Sequence, residues 1–210
     1  MSAPAAHFES REHQRDSAEL GIWIFLATEL MFFGPLFLSY SILRVSQPEA
    51  FAAASRHTDI VIGTLNTAVL LTSSMFAALA SRSAQIGRRR VAMGCLWITA
   101  LLGLAFLILK GVEYFHEWQE HLVPWLGFRF DPKLADGAAQ FFLLYFAMTG
   151  LHALHLILGI GIVGCFAWQL RTHSPASMKT RIEIGALYWH FVDAIWVFLY
   201  PLLYLVERYG

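Results

Sequence analysis

The chain has 210 residues, of which 57% are hydrophobic and 14% charged, against roughly half and a quarter in a soluble domain. Fifteen Lys and Arg balance fifteen Asp and Glu, which argues against the basic excess of a nucleic-acid binder and against an acidic disordered tail. Lipid is therefore the expected solvent, and partners are to be sought within the membrane, not among nucleic acids.

Residues 1–19 form a mixed-charge segment containing Glu9, Arg11, Glu12, Arg15, Asp16 and Glu19. It lacks the short basic start and small-residue cleavage site of a signal peptide, so it reads as a retained amino-terminal segment. Five apolar runs follow: Leu20 to Leu43, Ile60 to Ala80, Val91 to Tyr114, Ala138 to Leu170, and Ile184 to Val206. Each exceeds the roughly 20 helical residues that cross a hydrocarbon core. Lipid offers no partner to a free backbone amide, and the runs lack the alternation of barrel strands. The predicted fold is all-α, an integral membrane bundle of five transmembrane helices over 20–206, with a short tail at 207–210. The fourth run outreaches one bilayer thickness and must tilt or project. Pro35 and Pro201 each remove a backbone donor and are expected to bend the first and last helices. Cys95 and Cys165 lie inside apolar runs without metal-like spacing and read as small buried residues.

Counting Lys and Arg on alternate sides places nine with the amino terminus (Arg11, Arg15, Arg82, Arg88, Arg89, Arg90, Arg171, Lys179, Arg181). Six fall on the other side (Arg44, Arg56, Lys110, Arg129, Lys133, Arg208). The excess of basic residues predicts a cytoplasmic amino terminus and an outward carboxyl terminus. The longest loop, from Phe115 to Gly137, carries Trp118, Trp125, Phe128 and Phe130, an aromatic layer suited to the membrane interface.

Polar residues inside the runs need a reason to be there. Glu29 in the first costs about 2.5–3.5 kcal/mol on insertion scales, so it must face protein or water; a structural hydrogen bond and a proton-linked role both fit. On the fourth helix His152 and His155 stand three apart, about 60° around one face, which suits interhelical hydrogen bonding better than metal ligation, since further ligands are scarce. Gly150, Ala153, Gly161 and Gly164 form a small-residue stripe nearly opposite, expected to admit another helix and to make this helix the packed centre of the bundle. His190 and Asp193 repeat the three-residue spacing on the fifth helix, as a structural pair or a proton relay, with Glu113 a candidate partner or a headgroup contact. The string from His116 to His121 fails as a zinc motif because its histidines are five apart instead of four. Arg88 to Arg90 read as a topological and lipid contact.

Four blocks carry a family resemblance: Trp23 to Gly34 (WIFLATELMFFG); Asn66 to Ser74 (NTAVLLTSS); Lys110 to Tyr114 (KGVEY); and Thr149 to His155 (TGLHALH) with Ala186 to Asp193 (ALYWHFVD). Together they touch every span, and they resemble subunit III of the haem-copper cytochrome c oxidase family. The resemblance implies a subunit that binds no cofactor of its own, beside a haem-copper catalytic subunit I, subunit II and other oxidase subunits that hold haem and copper. It further implies stabilisation of the complex, phospholipid binding and indirect support of proton uptake in a bacterial cytoplasmic membrane. Glu29, Glu113, His152, His155, His190 and Asp193 match family positions as structural, lipid or proton-related candidates, with none catalytic. Larger members have seven helices, of which the first two are missing here, so their lipid cleft is not carried over. Quinol oxidases and an accessory protein of nitric oxide reductases share the scaffold; Glu29 and the stretch Pro48 to Phe51 look more like the cytochrome c branch. A haem-bearing electron-transfer subunit using His152, His155 and His190 is the competing class. A proton-coupled transporter using Glu29 and Asp193 ranks last, since inverted halves and paired broken helices are missing.

Overall fold

A computed structural model describes residues 11–205; the first ten residues, including Glu9, and the tail at 207–210 lie outside it. Six α-helices follow in order: α1 Arg11–Ser46, α2 Pro48–Ser55, α3 Ile60–Gln85, α4 Arg89–Gln119, α5 Ala135–Gln169 and α6 Pro175–Tyr200. A π-helical turn, Pro201–Leu205, completes α6. Five helices are long and apolar enough to cross a membrane: Leu20–Ser46 within α1, then α3, α4, α5, and Pro175–Leu205. No strand occurs among the described residues.

Helix ends explain where the structure departs from the hydropathy runs. The Asp59 carboxylate accepts from the amides of Val61 and Ile62 at 2.8 and 3.1 Å and so starts α3. Ser174 caps α6 with Pro175 in the first turn, where its missing N–H costs nothing; this helix begins nine residues before its apolar run. The hairpin between α3 and α4 turns at Gly87, whose φ of 78° places it in the left-handed region, with Arg88 N–H returning to the Ser83 carbonyl at 2.9 Å. Arg89 Nε donates to the Leu170 carbonyl, tying the start of α4 to the end of α5. Short α2 is amphipathic cover: Ala50, Phe51 and Ala54 are buried, and Phe51 meets Phe141 of α5 edge to face.

The packing corrects the expectation that the fourth span lies at the centre. The α3–α4 hairpin is the tightest pair, and α6 packs on α3 and α5 while α1 lies outermost against α5 and α6. In the apolar windows of the five spans, 50% is buried for the last, 39% for α4, 33% for α5, 28% for α3 and 11% for α1. The small-residue stripe is not the seam either. Gly161 and Gly164 have open space where a Cβ would point, and at Gly150 only the Tyr114 hydroxyl comes near, at 3.9 Å. Close approach falls instead at Gly103 of α4 and Gly159 of α5, where a Cβ would stand 2.7 and 3.2 Å from the Trp189 ring. A bulky α6 tryptophan slots between two glycines, so α6 and not α5 reaches the middle. Pro35 stays within a continuous α1, whereas Pro201 coincides with the change to π-helical winding.

Candidate functional site

The buried polar residues do not converge on one centre; they fall into three groups along the bundle. The end bearing the α4–α5 connection is called the loop end here, the one bearing Gly87 the hairpin end.

At the loop end, Lys110 is 2% exposed and uses all three ammonium hydrogens. It donates to Glu113 Oε2 at 2.9 Å and to the hydroxyls of Tyr145 and Tyr204 at 2.6 Å each. Tyr204 in turn donates to Glu113 Oε1 at 2.7 Å, and the Tyr145 ring lies 4.4 Å below the ammonium. The π-helical turn presents Tyr204 to this site while Tyr200, one turn earlier, reaches the Thr64 hydroxyl of α3 at 2.7 Å. A charged amine and a carboxylate inside a membrane bundle are thus fully hydrogen-bonded across α4, α5 and the end of α6, the condition under which a buried pair is tolerable. Glu113 therefore neither partners His190 or Asp193 nor reaches headgroups. Its cation lies three residues back on its own helix.

In the middle, α3 and α6 are laced antiparallel by side chains. Trp189 Nε1 donates to Ser73 Oγ at 3.0 Å, Trp196 Nε1 to Thr67 Oγ1 at 3.1 Å, and Ser74 Oγ meets His190 Nδ1 at 2.6 Å. His190 thus turns to α3 and not to Asp193, its neighbour three residues on. Asp193 is buried with the Ser74 hydroxyl, which meets His190, as the polar neighbour of its carboxyl. His152 is fully buried between the rings of Phe106 and Trp196, with centroids at 5.5 and 5.2 Å.

The third group joins α1 to α5. Glu29 Oε2 lies 2.8 Å from His155 Nε2, while His155 Nδ1 faces the Leu151 carbonyl at 2.9 Å. A carbonyl only accepts, so Nδ1 carries a hydrogen, and the contact at Nε2 needs one more proton shared with the carboxyl. The pair is then neutral overall, as neutral acid with imidazole or as carboxylate with imidazolium. Both forms suit its position, where the two side chains are only 17% and 10% exposed. His152 and His155 share a helix face yet serve different neighbours, one the core and the other α1. No three His, Cys, Asp or Glu side chains converge as ligands among the described residues.

The sequence reading missed Lys110, Glu117, Tyr145 and Tyr204 as site residues. Lys110 and Glu113 at i and i+3 were detectable as a same-face ion pair. The two tyrosines come from residues 35 and 94 positions away, which no local pattern announces.

Comparison with known proteins agrees with this architecture. A family model described as cytochrome c oxidase subunit III matches residues 9–207. A protein of Thermostichus vulcanus named cytochrome c oxidase subunit 3 is 31% identical over 95% of this chain and 92% of its own length. One of Staphylococcus haemolyticus named probable quinol oxidase subunit 3 is 27% identical over 98% and 97%. A third, cytochrome c oxidase subunit 3 of Latimeria chalumnae, is 32% identical over 90% of this chain and 69% of its own length. With five apolar helices and the matched blocks carried on each of them, the chain belongs to the cytochrome c oxidase subunit III family.

Proposed function

We propose that this chain is the non-redox subunit III of a bacterial respiratory oxidase of the cytochrome c type. It stabilises the catalytic subunit, holds phospholipid and supports proton uptake, while haem and copper reside in partner subunits and oxygen is reduced there. The amino terminus lies in the cytoplasm, a placement supported by the nine Lys and Arg on its side against six on the other.

The observation that carries this reading is the use made of the polar residues. Glu29, Glu113, His155 and His190 each engage a neighbouring helix, as expected of a scaffold whose chemistry is done elsewhere. Lipid holding is supported by an apolar groove of about 770 Å³ between α1, α5 and α6, lined by Ile22, Phe25, Gly161, Cys165, Gly185 and Tyr188. The open Cβ directions at Gly161 and Gly164 leave that side of α5 free for acyl chains.

Isolation of the complex in mild detergent tests the reading. A haem-copper subunit is expected to copurify, and this chain, once separated, to be colourless; a haem spectrum on the separated chain would overturn the assignment. Glu29→Ala is expected to lower stability or turnover with haem content unchanged. Loss of haem from an assembled complex would instead make this chain a cofactor ligand. The second reading, a quinol oxidase subunit, is favoured by the staphylococcal relatives named so. Turnover by the purified complex with quinol but not with reduced cytochrome c selects it.

A further inference from the structure

Lys110, Glu113 and Glu117 stand at i, i+3 and i+7 on α4, a spacing that puts all three on one helix face. They are 2%, 2% and 3% exposed, so one cation and two carboxyls share a site without solvent. The hydrogen bonds divide them unequally. Every ammonium hydrogen of Lys110 is spent on Glu113, Tyr145 and Tyr204, and both Glu113 oxygens are taken, one by Lys110 and one by Tyr204. Glu117 has no cation of its own: neither oxygen accepts in full hydrogen-bond geometry among the described residues, and the neutral Tyr145 hydroxyl is the donor that faces it. Lys110 and Glu113 therefore balance each other in charge and in donors, and Glu117 is the surplus.

Among the described residues, the groups facing Glu117 offer no second cation. From its own helix these are Lys110, Glu113, Tyr114 and Glu120; from α5, Tyr145; and from the π-helical turn, Tyr204. Glu120 caps α4, is exposed, and has His57 3.5 Å away, so it marks the boundary with solvent. Ionised, Glu117 would leave one uncompensated negative charge in a membrane-embedded core, beside a second carboxylate. Media of low polarity remove such a charge by protonation.

We propose that Glu117 is a one-proton binding site at the loop end of the bundle, occupied as a neutral carboxylic acid alongside the charge-balanced Lys110–Glu113 pair. This holds whichever electron donor the oxidase uses and does not rest on the functional reading above. The site is defined by arithmetic: among the described residues, one ammonium and two carboxyls keep neutrality only with one added proton.

Infrared absorption of the intact complex in its membrane tests the count through the carboxylic-acid carbonyl band. Subtracting the Glu117→Gln spectrum from the wild type is expected to reveal one such band. Finding that the variant has lost a carboxylate band instead would overturn the proposal. In Glu113→Gln, Lys110 takes Glu117 as its counter-ion, so the same band is expected to vanish; its persistence would overturn the proposal. In Lys110→Met both carboxyls lose their cation, and a second carbonyl band is expected; its absence would overturn the proposal. Should the variants not assemble, wild-type complex grown with ¹³C-labelled glutamate is expected to show a shifted glutamic-acid carbonyl, and a labelled sample with none would overturn the assignment.

Discussion

The core of α3 to α6 and the outlying α1 are built from similarly apolar helices, yet they are held by different means. Eleven residues of α6 are buried, including Trp189 and Trp196, and indole and imidazole groups lace it to α3 through three bonds at two levels. On the span of α1 only Phe33 and Tyr40 are buried, while Trp23, Leu30, Met31 and Phe32 face outward. Its polar ties include the Glu29–His155 contact and a bond of 2.7 Å from the Tyr40 hydroxyl to the Leu202 carbonyl. Because lipid is as apolar as leucine, burial gives little reason for helices to associate, and packing fit and interhelical hydrogen bonds decide. The core has both. On α1 a few polar contacts must do most of the holding.

That contrast can be broken most forcefully in the core. Glu113→Ala removes the carboxylate that Lys110 and Tyr204 both bond and leaves Glu117 as the counter-ion without its hydrogen-bond geometry; breaking a buried pair costs up to about 3–5 kcal/mol. Denaturant titration of the detergent-solubilised complex is expected to show this chain unfolding first, with Lys110→Met restoring much of the loss in the double variant. Next comes shape. At Gly103 a Cβ would meet the Trp189 ring at 2.7 Å, so Gly103→Val forces α4 from α6 at a cost of about 1–3 kcal/mol, read in the same titration. Gly164→Val, where the space is open, is expected to leave the midpoint unchanged.

The α1 interface sharpens the comparison. A double-mutant cycle of Glu29→Ala and His155→Ala is expected to give a coupling of about 1–2 kcal/mol, at the upper end for membrane hydrogen bonds because the contact is short, at 2.8 Å, and joins two proton-sharing groups. The readout is protease cleavage between α1 and α2 in the intact complex, where accelerated cutting reports detachment of α1. The smallest effect is expected at Ser74→Ala, which removes one of several α3–α6 bonds and costs about 0.6 kcal/mol. A larger loss there would mean that His190 and Asp193 depend on this hydroxyl more than the lacing implies.

How far these regions could be read from sequence follows from the range of the forces that make them. The five spans were legible because twenty apolar residues have no other stable state than helix in lipid. Their ends were not: α4 runs on through Glu117 to Gln119, and α6 starts at Pro175, because burial among helices and a Ser174 cap admit residues that hydropathy rejects. Glu29 and His155 were each singled out, but their contact joins residues 126 positions apart and needed the fold. The glycine stripe on α5 misled for a related reason. Small residues mark where close approach is permitted, and Trp189 settled which glycines are used.

The π-helical turn at Pro201–Leu205 gives this bundle a direction in time. Translation proceeds from the amino terminus, so Lys110 and Glu113 enter the membrane while Tyr204, 94 residues further on, has yet to be made. During that interval the ammonium has at most two of its three acceptors, and one Glu113 oxygen waits for its donor. The nascent bundle therefore keeps an incomplete set of hydrogen bonds around a charge-balanced pair until its last turn arrives, and a chain truncated before Tyr204 would hold Lys110 and Glu113 in the membrane with one bond each unmade.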